Sequence, residues 1–418
     1  MRVASGKSGD AAVVAGGGPA VSGADRADRA DVIVVGLGAM GSAVTLRLAQ
    51  RGLRVLGVDR FRPPHDRGST HGQTRITRLA VGEGAEHVPL VRRSHELWRE
   101  LEAATGSSVL AQVGGLVIGR RDDMFLEQTR AVARLHGIAH RNLSNAQLSD
   151  GFPMFDLPDD TEGYFEPEAG FVRPEAAITA QLTLARQAGA QLRLGESVRS
   201  WAASSGAVTV TTDMATVEAR ELVLCAGAWI TKLVPESAGL FAVYPQTLHW
   251  FAIRRGYETL RRMPIFIWEM DGERDAYTHL SGGFYGFPAI DGRTGGVKLA
   301  TERYDATVDP DQSTQTRPAD SSHAFHRRYL TRYFPWVTAE PLRTTSCLYT
   351  CTRASRFIID RHPNHPNVRI VAACSGHGFK HSAAIGEAVA QTISDGVSEI
   401  DLTPFALGGG FPDYPVGE

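Results

Sequence analysis

Cysteine is scarce in this chain. Four occur in 418 residues, at 225, 347, 351 and 374, and none stands in the C-x-x-C spacing of a metal-ligand pair. Cys347 and Cys351 lie four apart, without histidines at the spacing a zinc site requires, so no metal is expected. So few thiols exclude a disulfide scaffold and fit a reducing, cytoplasmic setting. Apolar runs of membrane-spanning length are also lacking, which removes a membrane partner from the expectations. Neither sign of charge is in excess: 44 Lys and Arg face 46 Asp and Glu, a formal net charge of -2. Without a basic surplus there is no reason to expect a nucleic-acid partner. The first 30 residues have no aromatic side chain and no Leu or Ile. They bury too little surface to order themselves, so residues 1–30 are predicted to be a disordered leader. A secretory signal is the rival for residues 11–21, but three consecutive glycines and Pro19 interrupt that run.

What remains is ordinary globular material, 43% hydrophobic and 22% charged. Its length predicts two domains. The chain is organised around Asp31 to Asp59. The apolar run Val32–Val35 predicts a strand buried on both faces. Gly36, Gly38 and Gly41 follow in G-x-G-x-x-G spacing, then an amphipathic segment predicted helical over Ala43–Gln50, then a strand over Arg54–Val58 ending at Asp59. Glycines there permit a tight turn and close approach of the backbone to a pyrophosphate, whose charge rests on the helix N-terminus. An acid 18 residues after Gly41 suits the ribose diol. The stretch predicts an adenine dinucleotide and leaves NAD and FAD equally open.

The loop that follows packs small residues among His71, Arg75 and Arg78, a composition suited to lying closely over an anionic or polarised ligand. Arg75 and Arg78, three apart, are expected to share a face of one helical turn. Helices are predicted over Pro89–Ala104, Asp123–Leu135, from Phe171 to about Gln187, His323–Phe334 and Ser382–Ser394. Strands are predicted at Gly115–Ile118, Gln191–Leu194, a hairpin of Ala207–Thr211 with Thr216–Arg220, Leu222–Cys225, Cys347–Thr350 and Val368–Ala373. Ala226-Gly227 makes a second small-residue turn after a buried strand. Thr247–Ile253, Ile265–Met270, Gly283–Phe287 and Gly296–Ala300 predict an antiparallel sheet that roofs a ligand site. Residues 31–110, 171–240 and 341–400 are assigned to a discontinuous nucleotide domain, and 111–170 with 241–340 to a substrate domain.

Several motifs in order, PPHDRGSTHGQTRITR (63–78), GEGAEHVPL (82–90), SCLYT (346–350), FIIDRHP (357–363) and SGHGFKHS (375–382), resemble the monomeric sarcosine oxidases and N-methyltryptophan oxidases. These belong to the glycine/D-amino-acid oxidase superfamily, and the resemblance runs from Asp31 to about Gly396. It implies an α/β, two-domain FAD-dependent amine oxidase fold, with a Rossmann-like FAD domain and a substrate domain on a large, mostly antiparallel sheet. It also implies a monomer that oxidises a small amino acid with O2. The cofactor it implies is FAD, bonded through sulfur to Cys347. Cys225 and Cys374 read as small buried residues, and Cys351 as a decoy. Cofactor contacts are expected from Gly36, Gly38, Met40, Gly41, Asp59, Ser69, Arg75, Gly376, Gly378, Phe379 and Lys380. Arg78 and Lys380 match residues that hold the substrate carboxylate, and Tyr349 and Tyr285 match tyrosines lining the substrate side. His71 and Arg75 match residues packed against the flavin, and Lys298 matches the lysine that activates oxygen on the other ring face.

Three departures touch the substrate side. Glu302 stands where the sarcosine oxidases carry a pocket histidine, an insertion (DGERDAYTHLS, 271–281) follows Glu269, and two extra residues separate Tyr285 from Lys298. They leave the flavin chemistry intact and predict a bulkier or more polar substrate than sarcosine. The implied reaction moves a hydride from the carbon beside an amine nitrogen to the flavin, with no strong general base. Water hydrolyses the imine, releasing formaldehyde, and oxygen becomes hydrogen peroxide. A cyclic imino acid is the nearest rival substrate. An NAD-dependent dehydrogenase and a flavin-binding protein without turnover are the rival classes.

Overall fold

The computed structural model describes residues 30–270, 282–313 and 319–408. The predicted leader up to residue 29 and the insertion at 271–281 lie outside the described residues. Val32–Val35 is buried at every position and takes the centre of a six-stranded sheet. It pairs in parallel with Val55–Asp59 on one side and Glu221–Leu224 on the other. Gln191–Leu194 and His365–Ala372 extend the parallel set, and Ile358–His362 closes one edge antiparallel. The first helix runs Ala39–Gln50 rather than from Ala43. Met40, Gly41 and Ser42 carry no apolar periodicity, so the first turn is invisible in the pattern, although Gly38 is its N-cap. This helix packs against Ser382–Ser394 so closely that a methyl on Gly386 would lie 2.4 Å from the Ala43 side chain. Val88–Thr105 ends at left-handed Gly106 and buries Leu90, Leu97, Trp98 and Leu101, the predicted stripe.

An eight-stranded sheet forms the second layer system. Its order is Val337–Cys351, Ala242–Ile253, Val297–Ala300, Gly283–Gly286, Ile265–Glu269, Gly115–Arg120, Thr161–Glu166, Arg141–Leu143. Neighbours are antiparallel except Ile265–Glu269 on Gly115–Arg120, which is parallel. The strand predicted over four residues at Cys347 is fifteen residues long. It crosses residue 341, where the sequence placed a domain boundary. The predicted hairpin gains a third strand, Val198–Ser204, whose half-exposed pattern carries no clear alternation. The predicted helix at 323–334 is split by a wider turn over His326–Leu330.

One local expectation is corrected. Arg75–Thr77 is a strand, not a helical turn, and pairs antiparallel with Gly170–Val172. Ile76 and Thr77 are β-branched and favour the extended form. Arg75 and Arg78 therefore follow strand spacing and take different partners.

Candidate active site

Two cavities meet in this framework. The first, about 370 Å³, is lined by the turn at Gly36, Gly38 and Met40, by Asp59, and by Ser69 and Thr70 of the following loop. Cys225, Ala226 and Gly227 line it from the second small-residue turn. Sterics explain the glycines. Gly36 has φ +85, and a methyl on Gly41 would sit 1.7 Å from the Gly36 carbonyl oxygen, so only glycine closes this turn. Gly38 serves the space instead. A methyl there would meet only the Thr70 hydroxyl, at 3.6 Å, and Gly38 caps the helix without a side-chain hydrogen bond. The uncapped N-terminus thus opens on the cavity, where an anion is favoured.

Asp59 is buried, and its two carboxylate oxygens accept backbone N–H groups of Leu37 and Phe61, each at 2.7 Å. Burial raises its pKa against these bonds. The Thr350 hydroxyl, in the lining, is buried without a hydrogen-bond partner among the described residues. An uncapped helix end, an acid at the second strand and an orphaned hydroxyl fit a dinucleotide.

The second cavity, about 560 Å³, holds Arg78, Glu83, Tyr285, Glu302, Tyr304 and Lys380. Arg75, Tyr349, Gly376 and Phe379 line both cavities and mark their junction. Gly378 supports the turn below, where a methyl would lie 1.8 Å from the Ala373 carbonyl oxygen. Arg75 donates to the carbonyls of Thr74 (2.9 Å) and Ser69 (2.8 Å). Arg78 is buried and donates to Glu83 Oε2 at 2.6 Å and to the Ala80 carbonyl. Burial opposes ionisation of Glu83, but Arg78 and then Lys380 hold its carboxyl well below the usual range. Lys380 sits in the turn Phe379–His381 that leads into the last helix. Its Nζ donates to the His377 carbonyl at 2.9 Å, and burial brings its pKa to about 8. The Tyr285 and Tyr349 hydroxyls are hydrogen-bonded, and burial raises both.

Lys298, Cys347 and His71 are buried and line neither cavity. Lys298 Nζ donates to the carbonyls of Gly72 (2.7 Å) and Thr74 (2.8 Å) and to the Thr74 hydroxyl (3.2 Å). These acceptors match the three donors of an ammonium group. The Phe287 ring face, 4.6 Å away, also favours it. Burial, and then the Arg75 charge, hold its pKa well below the lysine range. Burial, then Arg75, lowers His71 to about 4, so it is neutral at pH 7. Burial raises the Cys347 thiol, while Arg75 and Lys298 pull it down. Cys225 and Cys374 line the first cavity, a placement their reading as plain buried residues did not anticipate.

Sequence reasoning missed the residues that hold these groups. Glu175 Oε1 accepts the N–H groups of Gly72 (2.6 Å) and Gln73 (3.0 Å). Gln73, left-handed at φ +69, accepts from Trp250 Nε1 at 2.9 Å and from Arg343 at 2.6 Å. Glu83 lay within a quoted motif and Glu175 at a predicted helix start; no spacing linked either to its partner.

The comparisons agree with this geometry. The profile of the family "FAD dependent oxidoreductase" matches residues 31–392. A monomeric sarcosine oxidase of Streptomyces avermitilis is 36% identical over 371 residues, 88% of this chain and 94% of the relative. An N-methyl-L-tryptophan oxidase of Yersinia pestis (strain Pestoides F) is 32% identical over 384 residues, 90% and 98% of the two chains. The open form of NikD, an unusual amino acid oxidase essential for nikkomycin biosynthesis, superposes with a TM-score of 0.76 at 25% identity, covering 91% and 97%. With its dinucleotide-type turn and a second cavity joined to it, this chain belongs to the FAD dependent oxidoreductases, among the relatives of the monomeric sarcosine oxidases.

Proposed function

We infer that the protein oxidises a secondary, N-methyl, amino acid to an imine while O2 becomes hydrogen peroxide, and that hydrolysis releases formaldehyde. The observation that carries this reading is the cavity junction at Arg75, Tyr349, Gly376 and Phe379, with Arg78, Lys380 and Glu302 on its far side. The sarcosine and N-methyl-L-tryptophan oxidases among its relatives supply the reaction class. FAD, when bound, takes the hydride from the carbon beside nitrogen and passes the electrons to oxygen.

The turn from Gly36 to Gly41, Asp59, Ser69, the Ala226-Gly227 turn and residues 376–380 would hold the cofactor. Cys347 would attach it covalently: burial raises its thiol, and the Arg75 and Lys298 charges pull the other way, towards the reactive thiolate. Lys380 orients the substrate carboxylate, with Arg78 held beside it by Glu83, and Tyr285 and Tyr349 wall the reacting end. Glu302 sets the side-chain or amine preference. Lys298, fixed by the 72–74 loop, serves the oxygen side. Four free thiols support a reducing, cytoplasmic setting.

The test is a peroxide and formaldehyde screen of N-methylated and cyclic amino acids with FAD-loaded protein. Peroxide with N-methyl substrates is expected. Peroxide with no secondary amino acid would sink the reading, and activity with cyclic acids alone would move the substrate to that class.

A further inference from the structure

Loss of a hydride from the carbon beside nitrogen needs the nitrogen lone pair. An amino acid at neutral pH carries that nitrogen as an ammonium, and alkylammonium groups such as lysine's lose the proton only near about pH 10. Either the scarce free amine alone reacts, or a group in the second cavity takes the proton. We propose that Glu302 is this acceptor, receiving the ammonium proton of the bound substrate before the C–H bond breaks. The proposal rests on the amino-acid oxidation inferred above and assigns one residue a step within it.

Position comes first. Glu302 follows the strand Val297–Ala300 and lines the second cavity. Its Oε2 accepts the Tyr304 hydroxyl at 2.9 Å. Its Oε1 has no donor among the described residues and lies at the junction. A methyl built on Gly376, which lines both cavities, would be 3.5 Å from Oε1 and 2.8 Å from the Tyr349 ring. One oxygen is thus held and the other is offered to whatever occupies the junction.

Charge complementarity points the same way. Arg78 and Glu83 neutralise one another at 2.6 Å. Lys380 and Glu302 line the same cavity as a cation and a carboxyl, the mirror of a zwitterion. Burial holds His249 and His377, which line the same cavity, below the usual imidazole range. Burial holds Tyr285, Tyr349, Tyr304 and the Cys347 thiol in their neutral forms. Arg303 and Asp305, on the same segment, pair with each other. Burial raises Glu302 itself to about 7, against the Tyr304 hydrogen bond. An acceptor so placed is ionised above neutrality and still basic enough to take a proton.

The step balances without electron transfer. The N–H bond of R2NH2+ breaks, an O–H bond forms on the carboxylate, and free R2NH and a neutral carboxyl result. The proton leaves for solvent after the imine departs.

The experiment measures kcat/KM and, anaerobically in the stopped flow, the rate of flavin reduction against pH, using the best substrate of the screen. The wild-type holoenzyme is expected to show a limb near pH 7, active above it. Glu302→Gln keeps a partner for Tyr304 and should lose that limb. Its rates should then climb about tenfold per pH unit towards the substrate's own ionisation. At pH 7 it should be slower by on the order of 10²–10³-fold. A Glu302→Gln profile parallel to the wild type would overturn the proposal while leaving the oxidase reading intact. Should Glu302→Gln fail to load FAD, Glu302→Asp is read in its place. Its limb must move with the new carboxyl, and an unmoved limb overturns the proposal.

Discussion

The Arg78 guanidinium lies 2.6 Å from Glu83 Oε2, so the arginine expected to meet a substrate carboxylate already has a carboxylate of its own. Both side chains are nearly inaccessible, at 4% and 10% exposure. Removing one partner of such a pair leaves a buried charge alone, which costs about 3–5 kcal/mol. Glu83→Ala and Arg78→Ala should each lose stability of that order in denaturant titrations, and the double variant should lose less than the sum. The pH sign follows from the depressed Glu83 pKa. The pair's stabilisation is complete above the unfolded carboxyl value, about 4.3, and fades as pH falls through the lower folded value. Additive losses in the cycle would show that the pair is not coupled.

Carboxylate recognition is expected to fall on Lys380, whose described hydrogen bonding uses a single acceptor, the His377 carbonyl. Lys380→Met keeps the stem and deletes the charge. It should weaken amino-acid substrates and carboxylate inhibitors by roughly 2–5 kcal/mol. The matching decarboxylated amine should be little affected. Equal losses for acid and amine would remove Lys380 from that role.

The covalent link is checked by acid precipitation. Colour should stay with the precipitated wild-type protein and with Cys351→Ser, and should pass to the supernatant for Cys347→Ser. Because Cys374 also lies at the first cavity, Cys374→Ser belongs in the same series. Release of flavin from that variant alone would move the link to Cys374.

Lys298 should separate the half-reactions. A cation already fixed by three acceptors stabilises charge developing on oxygen with little reorganisation. Lys298→Met should leave anaerobic flavin reduction nearly unchanged and slow reoxidation by on the order of 10²-fold or more. If reduction collapsed and reoxidation kept its rate, Lys298 would belong to the substrate side.

The nucleotide end of this fold is legible because its information is local. Val32–Val35 is a buried apolar run, the glycines answer clashes with atoms a few residues away, and Asp59 closes the next strand. Helices with a strong apolar stripe, such as Val88–Thr105, are equally readable. The substrate end depends on distant partners. Nothing in the spacing ties Glu175 to Gly72, or Gln73 to Trp250 and Arg343. Arg75 and Arg78 were misjudged because two side chains three apart suit a helix only if the backbone between them is helical. There, pairing with Gly170–Val172 decides the matter.

The long strand Val337–Cys351 has a consequence for how this enzyme tolerates change. It pairs with Ala242–Ile253 in a register that sets Cys347 opposite Gln246 and Tyr349 opposite Tyr244. That register is continuous from Cys351 to Arg343 and shifts only beyond it, at the bulges facing Trp250 to Ile253. Side chains alternate along a strand, so deleting one residue between Arg343 and Ser346 would either strand the first half out of register or turn Cys347 and Tyr349 to the opposite face. Length variation is therefore disfavoured over residues 343–351, whereas the bulges can absorb it. The insertions expected from the sequence, at 271–281 and between Tyr285 and Lys298, fall outside this strand.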